Sequence, residues 1–216
     1  MRDAKTWKLR LAAGGLVLLG ASLGAWSRQI QIAANDCGES HGSGGRVTVE
    51  ANAANEDVSQ EAFLRAWTVF ISPRCSNCHP AGDAPLQGDD GHLHIQDVKR
   101  GPSGHGVYGM KCHTCHQDAN VPGANMPPGN PKWALPPPNM KMVIVGETPG
   151  KFCRQLKDPA QNGGRTMAQI LEHVSKDDLV GWAWDPGEGR TLPPLSRPEF
   201  EAAMQKWADN GASCPR

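Results

Sequence analysis

Two five-residue words carry the chemistry of this chain, Cys75-Ser76-Asn77-Cys78-His79 and Cys112-His113-Thr114-Cys115-His116. In each, two thiols three positions apart share one turn and a histidine follows directly. Thiols at that spacing can reach the two vinyl carbons on one edge of a porphyrin, and the next residue then brings an imidazole up to the iron. C-x-x-C-H is the attachment signature of c-type haem. The pair therefore reads as two covalent haems c, with Cys75, Cys78, Cys112 and Cys115 as thioether sites and His79 and His116 as proximal ligands. The competing chemistry is a zinc ion held by four thiolates, because two C-x-x-C pairs can close a tetrahedron. It leaves both trailing histidines without a part and suits an oxidising compartment poorly.

The sixth iron positions fall to the remaining histidines, to methionine, or stay open. His92 and His94 follow the first word in a loop able to fold back over a haem. His94, flanked by Leu93 and Ile95, is the better candidate of the two. His173 lies at the edge of an amphipathic helix and is the other histidine candidate. Met140 and Met142, just after a proline-rich run, are the alternative distal ligands; Met126 and His105 are weaker ones. His113 sits inside its own word, cannot bend onto that iron, and is expected at the surface. The choice matters because methionine raises the reduction potential relative to a second histidine.

Composition agrees with a cofactor-filled interior. Of 216 residues 38% are hydrophobic, while Gly contributes 25 and Pro 18, so a large sheet core or long bundle is not expected. Two apolar macrocycles would fill the gap. Formal net charge is +0, with no basic excess to suggest nucleic acid. Arg2, Lys5, Lys8 and Arg10 precede the uncharged run Leu11–Trp26. Residues 1–27 thus have the layout of an export signal, or of an uncleaved N-terminal membrane anchor. The apolar run is shorter than the ~20 residues that span a bilayer comfortably. Either reading places the body in the periplasm, held to the membrane in the second case. Residues 28–55 read as a flexible linker and 56–216 as the body. Two cysteines of that body stay outside the haem words, and export makes a Cys153–Cys214 disulfide the simplest arrangement. Cys37, in the linker, is left over.

The fold class expected is mainly α, with long Pro/Gly-rich loops wrapped around the haems. Asp57 can cap a helix to about Ile71 with Phe63, Trp67 and Phe70 on one stripe. Thr148-Pro149 opens a short helix through Leu156. Thr166–Gln169 and Ser196–Glu199 are capping boxes, the second starting a helix that Gly211 stops. Residues 122–138, with seven prolines, form an extended loop, and no strand pattern convinces. A helix before the first word and another at the C-terminus resemble the crossed terminal helices of class I cytochromes c. Only 36 residues separate Cys75 from Cys112, too few for two complete domains, so both haems belong to one.

From about Arg74 to Pro215 the chain resembles the exported dihaem cytochromes c that serve molybdenum hydroxylases of the isoquinoline 1-oxidoreductase type. The resemblance rests on the two words with Pro80–Asp83 and Gln117, on Cys153–Asp158, on Trp182–Gly187 and on Cys214-Pro215. It implies redox partner proteins, with the iron–sulfur chain of such a dehydrogenase as electron donor. The function expected is electron transfer, with no substrate chemistry of its own. The alternative is a haem enzyme, a peroxidase or sulfur-compound oxidase with one open or weakly ligated haem. A gas or ligand sensor is the third class, and no output domain is appended for it.

Overall fold

The computed structural model describes residues 44–216. The expectations for residues 1–43, including the signal or anchor and Cys37, lie outside the described residues. No described helix is long and apolar enough to cross a membrane.

The protein is mainly helical. Helix α1 (Gly44–Phe70) leads through the short α2 (Pro73–Ser76) into the first word, and α6 (Arg197–Asp209) closes the chain. Between them come α3 (Pro149–Lys157), α4 (Met167–Lys176) and α5 (Asp178–Gly181). Helix α1 and helix α6 pack together around Phe63, Ala66, Phe70, Phe200, Met204 and Trp207, all buried. Their rings interlock: Phe63 lies 5.1 Å from Trp207, and Phe70 meets Phe200 edge-on at 5.2 Å. Phe152 of α3 joins at 4.9 Å from Phe70. Such contacts add to the burial of the aromatic area itself. A buried hydroxyl locks the same crossing, since Ser59 donates to the Trp207 carbonyl (2.8 Å) and accepts from the Ser213 N–H (2.9 Å).

The caps fall where the sequence places them. Thr148 accepts from the Lys151 N–H, and Thr166 with Gln169 and Ser196 with Glu199 form complete capping boxes. Gly211, at φ 95°, follows the C-cap of α6, where the chain needs a left-handed residue. Helix α1 differs from expectation. It begins at Gly44, not Asp57, so residues 44–55 of the expected linker are helical. The reason is burial: Asn52–Asp57 are exposed, so no apolar stripe marks this part of the helix. Two small antiparallel hairpins were also not foreseen. They pair β1 (Leu86–Gln87) with β2 (His92–Leu93) and β3 (Gly106–Val107) with β4 (Met110–Lys111). Two-residue strands are too short to show a period of two.

Cys153 and Cys214 form a disulfide with Cα atoms 5.5 Å apart, tying the C-terminal tail to α3. Gly150 lets that tail approach, for a Cβ there would stand 2.1 Å from the Pro215 carbonyl oxygen. The bridge spans a sequence separation of 61, so breaking it releases a long loop in the unfolded chain. Replacing both cysteines by serine is expected to lower stability by about 2–4 kcal/mol. An unchanged urea midpoint would show that the bridge does not restrain the fold.

Candidate functional site

The first word is delivered by packing. Helix α2 starts at Pro73, right after the Ser72 cap, and carries Cys75 into a site where burial dominates both of its thiols. Burial, and then the neighbouring Cys78, pushes the Cys75 thiol up to about 12; burial lifts Cys78 to about 11. Cys112 of the second word is near enough to add to the rise at Cys78, so the words lie close together. The second word follows β4 directly, and the Cys112 N–H donates to the His105 carbonyl at 3.2 Å. It is more open, with Cys115 exposed.

Each histidine is aimed by its backbone neighbours. His79 Nδ1 donates to the carbonyls of Met142 (2.8 Å) and Lys141 (3.1 Å), and His116 Nδ1 donates to the Pro128 carbonyl (2.7 Å). Carbonyls only accept, so Nδ1 carries the proton and the Nε2 lone pair is left for a metal. Burial depresses the His79 pKa to about 4 and lowers that of His116 as well, keeping both imidazoles neutral. A histidine that donates its second nitrogen in this way is the usual form of a metal-ligating imidazole.

Two side chains that the sequence reading missed hold those carbonyls in place. Buried Gln155 of α3 accepts from the Val143 N–H (2.8 Å) and donates to the Val143 carbonyl (3.1 Å). That fixes the 141–143 segment, where Met142 takes φ 49°. Asn120 does the same for the second word. Its Oδ1 accepts from the Gly129 N–H (3.0 Å) and from Trp182 Nε1 (2.9 Å), while its Nδ2 donates to the Asp185 carbonyl (2.9 Å). Trp133 stacks on His116 at 4.5 Å and 12°, and Trp182 stands edge-on to Trp133 at 4.9 Å. No sequence spacing announces any of these partners.

The sixth-ligand candidates separate. His94 faces His116, with ring centres 6.2 Å apart and planes at 65°. A ring nitrogen sits about 2 Å from a bound first-row metal and roughly 1 Å from its ring centre, so imidazoles on opposite sides of one ion stand about 6 Å apart. The Nδ1 of His94 is buried with no hydrogen-bond partner. His94 therefore belongs beside the second word, although it follows the first in sequence. His173 is close enough to His79 to disfavour its protonation, but its side chain is 43% exposed and Nδ1 lies 3.5 Å from Asp177 Oδ2. Met140 places its sulfur 3.0 Å from Arg165 Nη1. The Met142 carbonyl accepts on the Nδ1 side of His79, across the ring from Nε2, and the Met142 side chain packs on the core. His92 is exposed and bonded to Asp90 at 2.6 Å, and exposed His105 stacks on exposed His113.

The apolar surroundings fit macrocycles. An open groove of about 760 Å³ beside the first word is lined by Pro80, Leu86, Leu93, Val107, Pro138 and Val145, a size in the range of small-molecule and cofactor sites. Leu93, Ile95, Val107, Tyr108 and Met110 are exposed between the words, where a large apolar group would cover such side chains. Among the described residues no three His, Cys, Asp or Glu side chains converge as a metal site, so the four thiols do not form the tetrahedron zinc would need. No family model, curated protein or solved structure matches the chain.

On the haem reading of the two words, replacing His79 or His116 by Ala is expected to remove the native spectrum of one haem while both thioether pairs still form, as intact mass would show. Six-coordinate low-spin bands from both haems in both variants would overturn the proximal assignment.

Proposed function

We propose that this protein is a periplasmic dihaem cytochrome c that transfers single electrons, and that its helices and loops enclose two covalent haems c. The reading rests on the two C-x-x-C-H words and on one observation above the others, the facing pair His94 and His116. Cys75 and Cys78 would hold one haem with His79 on its iron; Cys112 and Cys115 would hold the second between His116 and His94. Each haem supplies a one-electron couple, and the chain sets its ligation, exposure and electrostatic surroundings. At the second haem, two imidazoles held from opposite sides by separate loops would change little between redox states, which suits fast electron transfer and leaves no open position on that iron. The short distance between the words favours exchange between the two irons. By the resemblance stated above, the donor is a molybdenum hydroxylase-type dehydrogenase and the electrons continue to the respiratory chain.

The second reading, an enzyme with one weakly ligated haem, draws on the first word. There His173 remains partly exposed and engaged with Asp177, and no ring faces His79 as His94 faces His116 among the described residues. Carbon monoxide separates the readings. An electron carrier is expected to bind none to the reduced protein without denaturant, whereas His94→Ala opens one haem to carbon monoxide and turns it high-spin. Binding by the unmodified protein would favour the enzyme, and a His94→Ala variant that stays fully low-spin would remove His94 from the iron.

A further inference from the structure

Two arginines beside the first word are buried more deeply than a charged side chain should be without cause. The Arg100 side chain is 0% exposed and that of Arg74 3%. Arg74 directly precedes Cys75 on α2, and its Nη2 meets Asp89 Oδ1 at 2.5 Å. Arg100 bonds the Pro136 carbonyl and, at 3.1 Å, the carbonyl of Gly82, three residues past His79. Its nearest carboxylate, Asp83, lies 3.5 Å away, is 59% exposed, and pairs more closely with Lys141 at 2.9 Å. The Nε of Arg74 is buried without a hydrogen-bond partner, and that of Arg100 has only the Asp83 carboxylate at 3.5 Å. A guanidinium stays charged in proteins; Arg74 is paired directly with Asp89, so Arg100, held mainly by carbonyls, is the less neutralised buried charge beside the first word.

Around the second word the balance differs. Cys115, His113 and the flanking residues 108–111 are exposed, and neither of the two buried arginines directly precedes or follows this word. The nearby cation, Arg190, is only half-buried and is satisfied by the carbonyls of Pro186 (3.0 Å) and Met126 (2.6 Å). The carbonyl bonds on Nδ1, which make an imidazole a stronger donor, occur at both histidines and do not separate the sites.

Resting on the dihaem reading, we propose that buried Arg100 makes the haem of the first word the higher-potential one. Electrons then run from the site at His116 to the site at His79. The physical ground is charge: a ferric haem carries one more positive charge than a ferrous haem. A buried cation nearby destabilises that charge. In the exchange one electron leaves the iron at His116, which goes from ferrous to ferric, and the iron at His79 goes from ferric to ferrous. No bond is made or broken. The word at His116, whose Cys115 is exposed, is the entry from a donor, and the word at His79 is the store that drains it.

A unit charge about 10 Å away at an effective dielectric near 20 shifts an equilibrium by roughly tenfold, and tenfold is about 59 mV for a one-electron couple. The test is a spectroelectrochemical titration of the holoprotein, with Arg100→Gln and Asp83→Asn as variants. Arg100→Gln is expected to lower the upper of two midpoints by up to that amount and to leave the lower one in place. Asp83→Asn, an exposed change that leaves the core intact, is expected to raise the same upper midpoint and decides the matter by itself if Arg100→Gln fails to fold. Movement of the lower midpoint in either variant reverses the order, and no movement in either removes Arg100 from the tuning. Failure of the dihaem reading would look different, as a protein with no pair of one-electron haem waves to titrate.

Discussion

The hydrogen bond from a histidine Nδ1 to a backbone carbonyl is the interaction on which the two sites depend. A C-x-x-C-H word supplies an imidazole but no direction for it. At both words a backbone carbonyl accepts a hydrogen bond from the Nδ1 N–H, and the lone pair is left on Nε2. Neither carbonyl could hold its place alone. Gln155 grips the strand-like segment behind His79, and Asn120 gathers Gly129, Trp182 and Asp185 behind His116. A small loss of position there would free the ring to turn, because the bond is short-ranged and directional.

That demand explains how the rest of the chain is arranged. Helices α1 and α6 make the aromatic core, and the disulfide clamps α3 against the C-terminal tail. Helix α3 is thus fixed at both faces, and it carries Gln155. A rigid helical frame holds loops that have little regular structure of their own. Their prolines limit backbone freedom before folding, which reduces the entropy lost on ordering them.

The same frame buries charge, and burial of an ion is costly. Taking a guanidinium out of water costs several kcal/mol unless partners restore what hydration provided. Arg74 and Arg100 are only partly repaid by Asp89, Asp83 and backbone carbonyls. A fold that keeps such residues beside the first word concentrates buried positive charge at one of the two sites.

Much of this was legible from local spacing. The words, the capping boxes at Thr166 and Ser196, the stop at Gly211 and the aromatic stripe of Phe63 and Phe70 each lie within a few residues of one another. Their geometry is set by the helix repeat and by single hydrogen bonds along the chain. The start of α1 escaped because exposed Asn52–Asp57 offer no stripe to read. The tertiary structure alone decided that His94 faces His116, since a loop after one word can close over the other. It also decided that Met142 serves His79 with its carbonyl, and that Gln155, Asn120 and Trp133 support the imidazoles. Those pairings join residues far apart in sequence, where distance along the chain carries no record of distance in space. Spacing names the atoms that can bind; only packing brings a second imidazole to face the first.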